Sequence, residues 1–218
     1  MPLGLSDARE NTVIDHIFRN AAFTPPTTVY VALHTAYPGD TGASEVAGGS
    51  YARQALELDA AAAGASQNTN IEDFVGMPAV TGDGVWGVSI WDAVSAGNCM
   101  ATAVMQPAGG HRRAFSGNDV AGDTISSATH GLTTDDRVVF LPLRGAVALP
   151  AGITEGTLYF VRSGGLTVDA FTFATTSGGA AVNITAVGTG VLFKVTNKIV
   201  NVGDTLRLPV GDLDFFVD

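Results

Sequence analysis

The sequence predicts an all-β protein: a β-sandwich body carrying one N-terminal α-helix and an inserted small β domain. Three observations predict it. The 27 glycines and 9 prolines among 218 residues fall between short apolar runs with no collagen period, the composition of a chain with many turns. From Thr28 the residues alternate, with Val29, Val31 and Leu33 on one side and Tyr30, Ala32 and His34 on the other, the period of a half-buried strand. From Phe115 to Val195 strand and turn signals follow one another. A hydrophobic fraction of 46% and a mean hydropathy of +0.26 supply a core.

Ser6 is placed as an N-cap, with Asp7 in the first turn where the helix dipole favours negative charge. Val13, Ile14, Ile17 and Phe18 then fall on one face, which predicts a helix over about 6–19 with a single apolar stripe, ended by Asn20. Thr24-Pro25-Pro26-Thr27 is a stiff connector, since each proline fixes φ and removes a donor. After the strand from Thr28, Tyr37-Pro38-Gly39-Asp40 supplies a turn, and Gly42 to Ser50 reads as a long exposed loop too rich in small residues to pack. A second strand is expected after Tyr51, through Ala55 and Leu56 to Leu58.

Residues 59–70 read as a loop, and Ile71 to Val75 as a short strand. The run from Gly82 to Gly87 has the spacing GxGxxG, but a dinucleotide site needs that loop to open a helix. Here Val88, Ile90 and Trp91 continue as a strand, so the glycines are read as a turn before it. Trp86 and Trp91 are read as core or interface anchors. Asp92 to Asn98 is a turn, and Cys99 to Met105 a strand with apolar residues on both faces, so that Cys99 is expected to be buried and inert. His111-Arg112-Arg113, the one basic cluster, is read as a solvated loop between domains.

Within 115–195 the strand signals fall at 120–125, 135–140, 158–161, 171–174 and 181–184, with turns at 129–132 and 149–153 between them. The formal net charge of -10 argues against binding a phosphate backbone, so no nucleic acid is expected as a partner. Residues 115–195 hold four basic and six acidic residues; the remainder carries the other -8. No apolar run approaches the ~20 residues needed to span a bilayer, and no basic start with an apolar core marks a secretory leader, so synthesis in the cytoplasm is expected. A single cysteine excludes an internal disulfide.

No GxSxG elbow, HExxH helix, CxxC pair or P-loop is present. His130 with Asp135 and Asp136 is the best local acid and base set, and Asn68, Asn70, Glu72 and Asp73 the best calcium-like cluster. The first is read as ordinary turn chemistry, the second as a polar loop entering a strand, and His16, near the apolar edge of its helix, as a structural or solvent-facing histidine. No enzyme, metal or cofactor is expected.

Several stretches resemble one family. TVYVALHT at 28–35, PGDTG at 38–42 and EVAGGSYARQAL at 45–56 are similar to small tailed-bacteriophage virion proteins of the tail-fibre or minor structural type. GLSDARENTVIDHIFRNAAFTPP resembles that family's N-terminal helix and its lead into the first strand. VWGVSIWDAVSAGNCMA and the closing IVNVGDTLRLPVGDLDFFVD resemble its later segments. Together these span residues 1–114 and 196–218. The intervening 115–195, with HGLTTDDRVVF, LPAGI and LYFV, resembles a small β module that recurs in phage fibre proteins, and is read as an insertion whose ends lie close together and which projects outward.

The resemblance implies a non-enzymatic structural protein of a tailed-phage virion, assembled in the host cytoplasm, as a tail-fibre or tail-attached surface protein. A capsid decoration or cement protein on the phage head is the alternative; a carbohydrate-binding or depolymerase module is the second. Its expected partners are other virion proteins, of the tail or the major capsid, a host-surface glycan, and further copies of itself in a homo-oligomer, by analogy a trimer. The candidate interface is the helix stripe Val13, Ile14, Ile17 and Phe18 together with Phe215 and Phe216. Those two phenylalanines lie in the run Leu213 to Val217, on opposite faces of a strand.

Overall fold

In a computed structural model, which describes residues 2–115, 117–143 and 148–216, the alternation after Thr28 becomes a strand whose Val31 and Leu33 are fully buried. The chain forms two compact units, residues 1–105 with 197–218, and residues 106–196. Both are built of β-structure, and among the described residues there is one α-helix, near the N-terminus.

Unit 1 begins with β1 (Pro2–Leu5) and α1 (Asp7–Arg19), followed by β2 (Val29–His34), β3 (Gln54–Leu56), β4 (Ala65–Gln67) and β5 (Glu72–Phe74). It continues with β6 (Val80–Val85), β7 (Gly87–Trp91) and β8 (Cys99–Val104). Unit 2 contributes β9 (Arg112–Phe115), β10 (Gly117–Asp119), β11 (Thr124–Ser126), β12 (Arg137–Leu141), β13 (Leu158–Val161), β14 (Ala170–Phe171), β15 (Phe173–Ala174) and β16 (Gly190–Val195). The chain then returns to unit 1 as β17 (Lys198–Val200), β18 (Leu206–Leu208) and β19 (Asp214–Phe216).

In unit 1 a seven-stranded sheet runs β3-β2-β7-β8-β1-β19-β4, and two ribbons, β17-β6 and β18-β5, share its core. Val31, Leu33, Val88, Ile90, Ala101 and Ala103 come from the sheet, and Phe74, Val85, Val200, Leu206 and Leu208 from the ribbons. This is a layered β body, held by removal of apolar side chains from water. Beyond their ends the edge strands β3 and β4 are joined by a bridge between Leu58 and Asn68, so the sheet curls toward itself. β1 and β19 are neighbours and parallel, so the two ends of the chain supply adjacent lanes.

Unit 2 closes completely. Its five-stranded sheet, β15-β13-β12-β16-β9, and its three-stranded sheet, β10-β11-β14, continue into each other, because β9 precedes β10 and β14 precedes β15 in the chain. The result is a six-lane antiparallel barrel in which, among the described residues, every lane has neighbours on both sides. Phe140 sits at its centre, with ring centroids 4.9 to 6.3 Å from those of Phe115, Tyr159, Phe171 and Phe173.

Several expectations are corrected. Residues 59–70 are not all loop, since Ala65–Gln67 pairs with β19. The glycine run at 82–87 lies largely within β6, where Gly82 and Gly84 take positive φ while the strand pairs with β17. Arg112 and Arg113 belong to a strand rather than a loop, because β9 supplies the lane beside β16. Residues 181–184 form no strand; there Val182 N donates to Phe173 O and Ile184 plugs the barrel core. The segment 120–125 is a turn through Asp123 before β11 begins at Thr124.

Candidate interaction surface

The helix forms where its pattern places it, but it is oriented unlike an ordinary amphipathic helix. Ser6 occupies the N-cap position in an extended conformation and makes no side-chain cap; its hydroxyl donates to Cys99 O at 2.9 Å, fastening the helix start to β8. Asn20 ends the helix in the left-handed region, φ 54°, and its N–H donates to Asp15 O. Arg19 and Asp15 pair four residues apart.

Contact with the body is polar. Arg9 reaches Asp92 at 2.8 Å, and backbone and side-chain donors of Asn98, with Arg9, hold the Asp92 carboxyl below its usual range. No residue of α1 is buried. Its apolar stripe faces water, with Val13 39%, Ile14 51%, Ile17 63% and Phe18 79% exposed. A helix whose polar side meets its own domain while four large apolar residues stay solvated has an unused contact surface. His16, expected as a structural or solvent-facing histidine, is exposed and meets Ala21 O through Nδ1. Phe215 lies partly buried against the core of unit 1, so the domain covers that side of β19. The side chain of Phe216, and Val217, lie outside the described residues.

Opposite the core, the other face of the β2-β7-β8 sheet carries a buried polar network. The run 35–53, read from the sequence as an exposed loop, folds back onto β2: Thr35 N donates to Ser44 O, and Val46 N to Leu33 O. Val46 enters the core. Gly42, at φ +67°, lies directly against the Trp91 indole, where a Cβ would overlap the ring; its small size permits this packing. Arg53 then lies over Trp91, 3.6 Å from the centroid. It forks onto both oxygens of Glu45, at 2.9 and 2.7 Å, and donates to Ala93 O and Ala96 O.

Beneath this clamp His34 is fully buried. Its Nδ1 meets Ala43 O at 2.7 Å, and since a carbonyl only accepts, Nδ1 carries the proton. Nε2 is then the acceptor for Ser89 Oγ at 2.6 Å, whose oxygen in turn accepts the Trp91 indole N–H at 2.7 Å. Burial pushes the His34 pKa down to about 4. The network orders the loop. Nothing in it combines a nucleophile with an open face.

The other sets weighed from sequence are dispersed. His130 is buried in the barrel, with Nδ1 accepting Leu132 N and its ring edge-on to Phe171. Asp135 accepts from Ser177, and Asp136 pairs with Lys194 at 2.8 Å, so the three do not converge on a reacting atom. Asn68 clamps Leu213 N, Asn70 O and Pro209 O; Asn70 serves Glu57 N and Ala55 O; Asp73 forks onto Arg207. Among the described residues no group of three His, Cys, Asp or Glu could hold a metal. Cys99 is buried and its thiol is pushed up to about 11 by that burial. Trp86 and Trp91 are both buried. The position of Glu72, buried with its pKa raised to about 7 by desolvation, carries no sequence signal beyond its place in a short strand.

Residues 4–134, more than half of the chain, match the profile of a family described as podophage GP4 fiber I protein gp80. No curated protein matches the chain.

Proposed function

The chain belongs to the podophage GP4 fiber I protein gp80 family, and on that premise we propose that it is a non-enzymatic structural subunit of a tail-attached fibre that assembles through α1 with other copies of itself. Membership makes it a virion-associated fibre protein. The observation that carries the assembly step is the solvated stripe on α1, a helix with no buried residue in its own domain. Burying an exposed Ile or Phe is worth about 1.5–3 kcal/mol relative to leaving it in water, so a few such residues outweigh the repulsion of acidic bodies spread around the contact.

Ile17→Asp with Phe18→Asp tests it. The folded monomer should lose no more than about 1–2 kcal/mol, the cost of two carboxylates in the last turn of the helix, because neither side chain is packed in its own unit. Sedimentation at micromolar concentration should show the parent chain as an oligomer, by analogy a trimer, and the variant as a monomer. A parent chain that is monomeric in both low and high salt would defeat self-association. Position and copy number in an intact particle test the fibre role: copies on the tail support it, whereas copies distributed over the head would make this a decoration protein. A glycan-binding role has less support, since the two tryptophans are buried and offer no stacking platform.

A further inference from the structure

The N-terminal arm is held to its own domain by a narrow set of contacts. β1 places Gly4 opposite Thr102 and Leu5 opposite Ala101 on β8, and Pro2 and Leu3 beside Asp214 and Phe215 on β19. Ser6 adds its N–H to Met100 O and its hydroxyl to Cys99 O, both at 2.9 Å, and Arg9 pairs with Asp92. Everything apolar on α1 faces away. The connector that follows is exposed over most of its length, and Ala21, at its start, bonds back into the helix. Among the described residues no backbone hydrogen bond joins residues 22–27 to the sheet. Pro25 and Pro26 stiffen it.

We propose that this arm is exchanged between copies of the chain, so that β1 of one copy fills the lane between β8 and β19 of its neighbour. The inference rests on the fibre reading above and deepens it by naming how the copies join. A second copy is the fitting occupant because it offers the same Thr102, Met100, Cys99 carbonyl and Asp92 to the same Gly4, Ser6 and Arg9; exchange conserves each of these contacts. The nine residues from Asn20 to Thr28 reach roughly 30 Å when extended, several times the ~4.8 Å between lanes. Because each contact is conserved, the stripe of α1 keeps its outward orientation on the neighbour that receives β1. Reciprocal exchange closes a dimer and cyclic exchange closes a ring, and neither leaves a lane open.

The test is a disulfide across the lane. Gly4→Cys with Thr102→Cys, in a Cys99→Ala background, puts two thiols on directly opposed antiparallel positions, about 4.5–5.5 Å apart at Cα, within the range a disulfide spans. A Cβ at Gly4 meets nothing within 4 Å, so the new side chain has room. After mild oxidation, denaturing electrophoresis without reductant should show covalently linked dimers or larger species as the main product. Oligomers by sedimentation whose disulfides are all within one chain would overturn exchange and leave self-association standing; monomers would overturn both. Free thiols in a folded sample would show that β1 does not occupy this lane, which also overturns the proposal. Should the cysteine variant not fold, Pro25→Gly with Pro26→Gly loosens the connector without touching the core and should raise the dissociation constant at least about tenfold; an unchanged constant overturns exchange.

Discussion

Unit 2 completes its ladder with internal strands, and its six lanes enclose a cluster of phenylalanines, whereas in unit 1 two adjacent lanes, β1 and β19, are supplied by the first and last strands described. A barrel made of internal strands has no lane to give away, so it gains nothing from a partner and is protected from edge pairing. In unit 1 the lane between β8 and β19 is filled by the four residues of β1, joined to the rest of the unit through α1 and an exposed connector. The same unit carries the exposed apolar helix and most of the negative charge. Association is therefore expected to be a property of unit 1, and self-sufficiency a property of unit 2.

The largest effects come from striking each core in turn. Val31→Asp buries an unpaired carboxylate between β3 and β7, a penalty of several kcal/mol that is comparable to the stability of a domain. Unit 1 should be unfolded, while Thr28→Asp, at an exposed position, should be mild. Phe140→Ala should cost unit 2 about 3–5 kcal/mol, because four aromatic neighbours lose their central partner. Amide NMR spectra would show which unit's resonances collapse in each case. Both units collapsing together in either variant would show that the two cores depend on each other.

The next effects are in pH, and the two largest between pH 4 and 7 belong to unit 1, although burial also lowers His111 in unit 2. His34 has a folded pKa of about 4 against 6.5 unfolded, so below 6.5 the unfolded chain binds a proton that the folded chain refuses. Stability of unit 1 is full above pH 6.5 and is lost progressively toward pH 4, by about 3 kcal/mol if the gap is realised in full. With Glu72 replaced by Gln, so that its opposing titration is removed, denaturant melts of the two units across that range should diverge, unit 1 falling. An opposite slope of about the same size comes from Glu72, whose folded pKa of about 7 lies above its unfolded 4.5. Its contribution is present below 4.5 and lost as pH rises through 7. Glu72→Gln should therefore stabilise unit 1 at pH 8, by about 3 kcal/mol if the gap is realised in full, with the gain vanishing below pH 4.5. A gain independent of pH would show that the carboxylate charge is not the cause.

What could be read from the sequence was local. The helix ran from Asp7 to Arg19 because its stripe and Asn20 are local signals, and the strands at Val29 and Leu158 follow from alternation and β-branched or aromatic content. Closure of unit 2 could not be read, because it depends on which lanes meet at β9 and β16, nearly the whole module apart. The small residues at 42–50 suggested an unpacked loop for a sound local reason. In the fold that smallness lets Gly42 lie against Trp91, and the order comes from Glu45 and Arg53, eight residues apart, meeting over a distant indole. Ala181–Ile184 has strand composition, yet Ile184 is used as a plug with Asp123 accepting its N–H. On α1 the stripe itself was legible, but its exposure was not: periodicity identifies an apolar face without saying whether a chain covers it with its own core.

The smallest effect expected is from removing unit 2 altogether. Its first and last strands, β9 and β16, are antiparallel neighbours, with Arg112 opposite Phe193, so the module's ends lie side by side. The ends left in unit 1 are also close: Met105 N donates to Trp86 O, while Lys198 pairs with Val85, the adjoining residue. A short flexible linker replacing residues 106–196 therefore bridges positions that the β6-β17 ribbon already holds together. The closure entropy changes slowly with loop length, about 0.6 kcal/mol for each doubling, and a shorter loop lies on the favourable side of that relation. Unit 1 without the module should keep its stability within about 1 kcal/mol and retain both the low-pH loss from His34 and the association through α1. The isolated barrel should fold and remain monomeric. A remainder that no longer folds would show that unit 1 needs the module to complete its core, and a barrel that self-associates would reverse the assignment of roles between the two units.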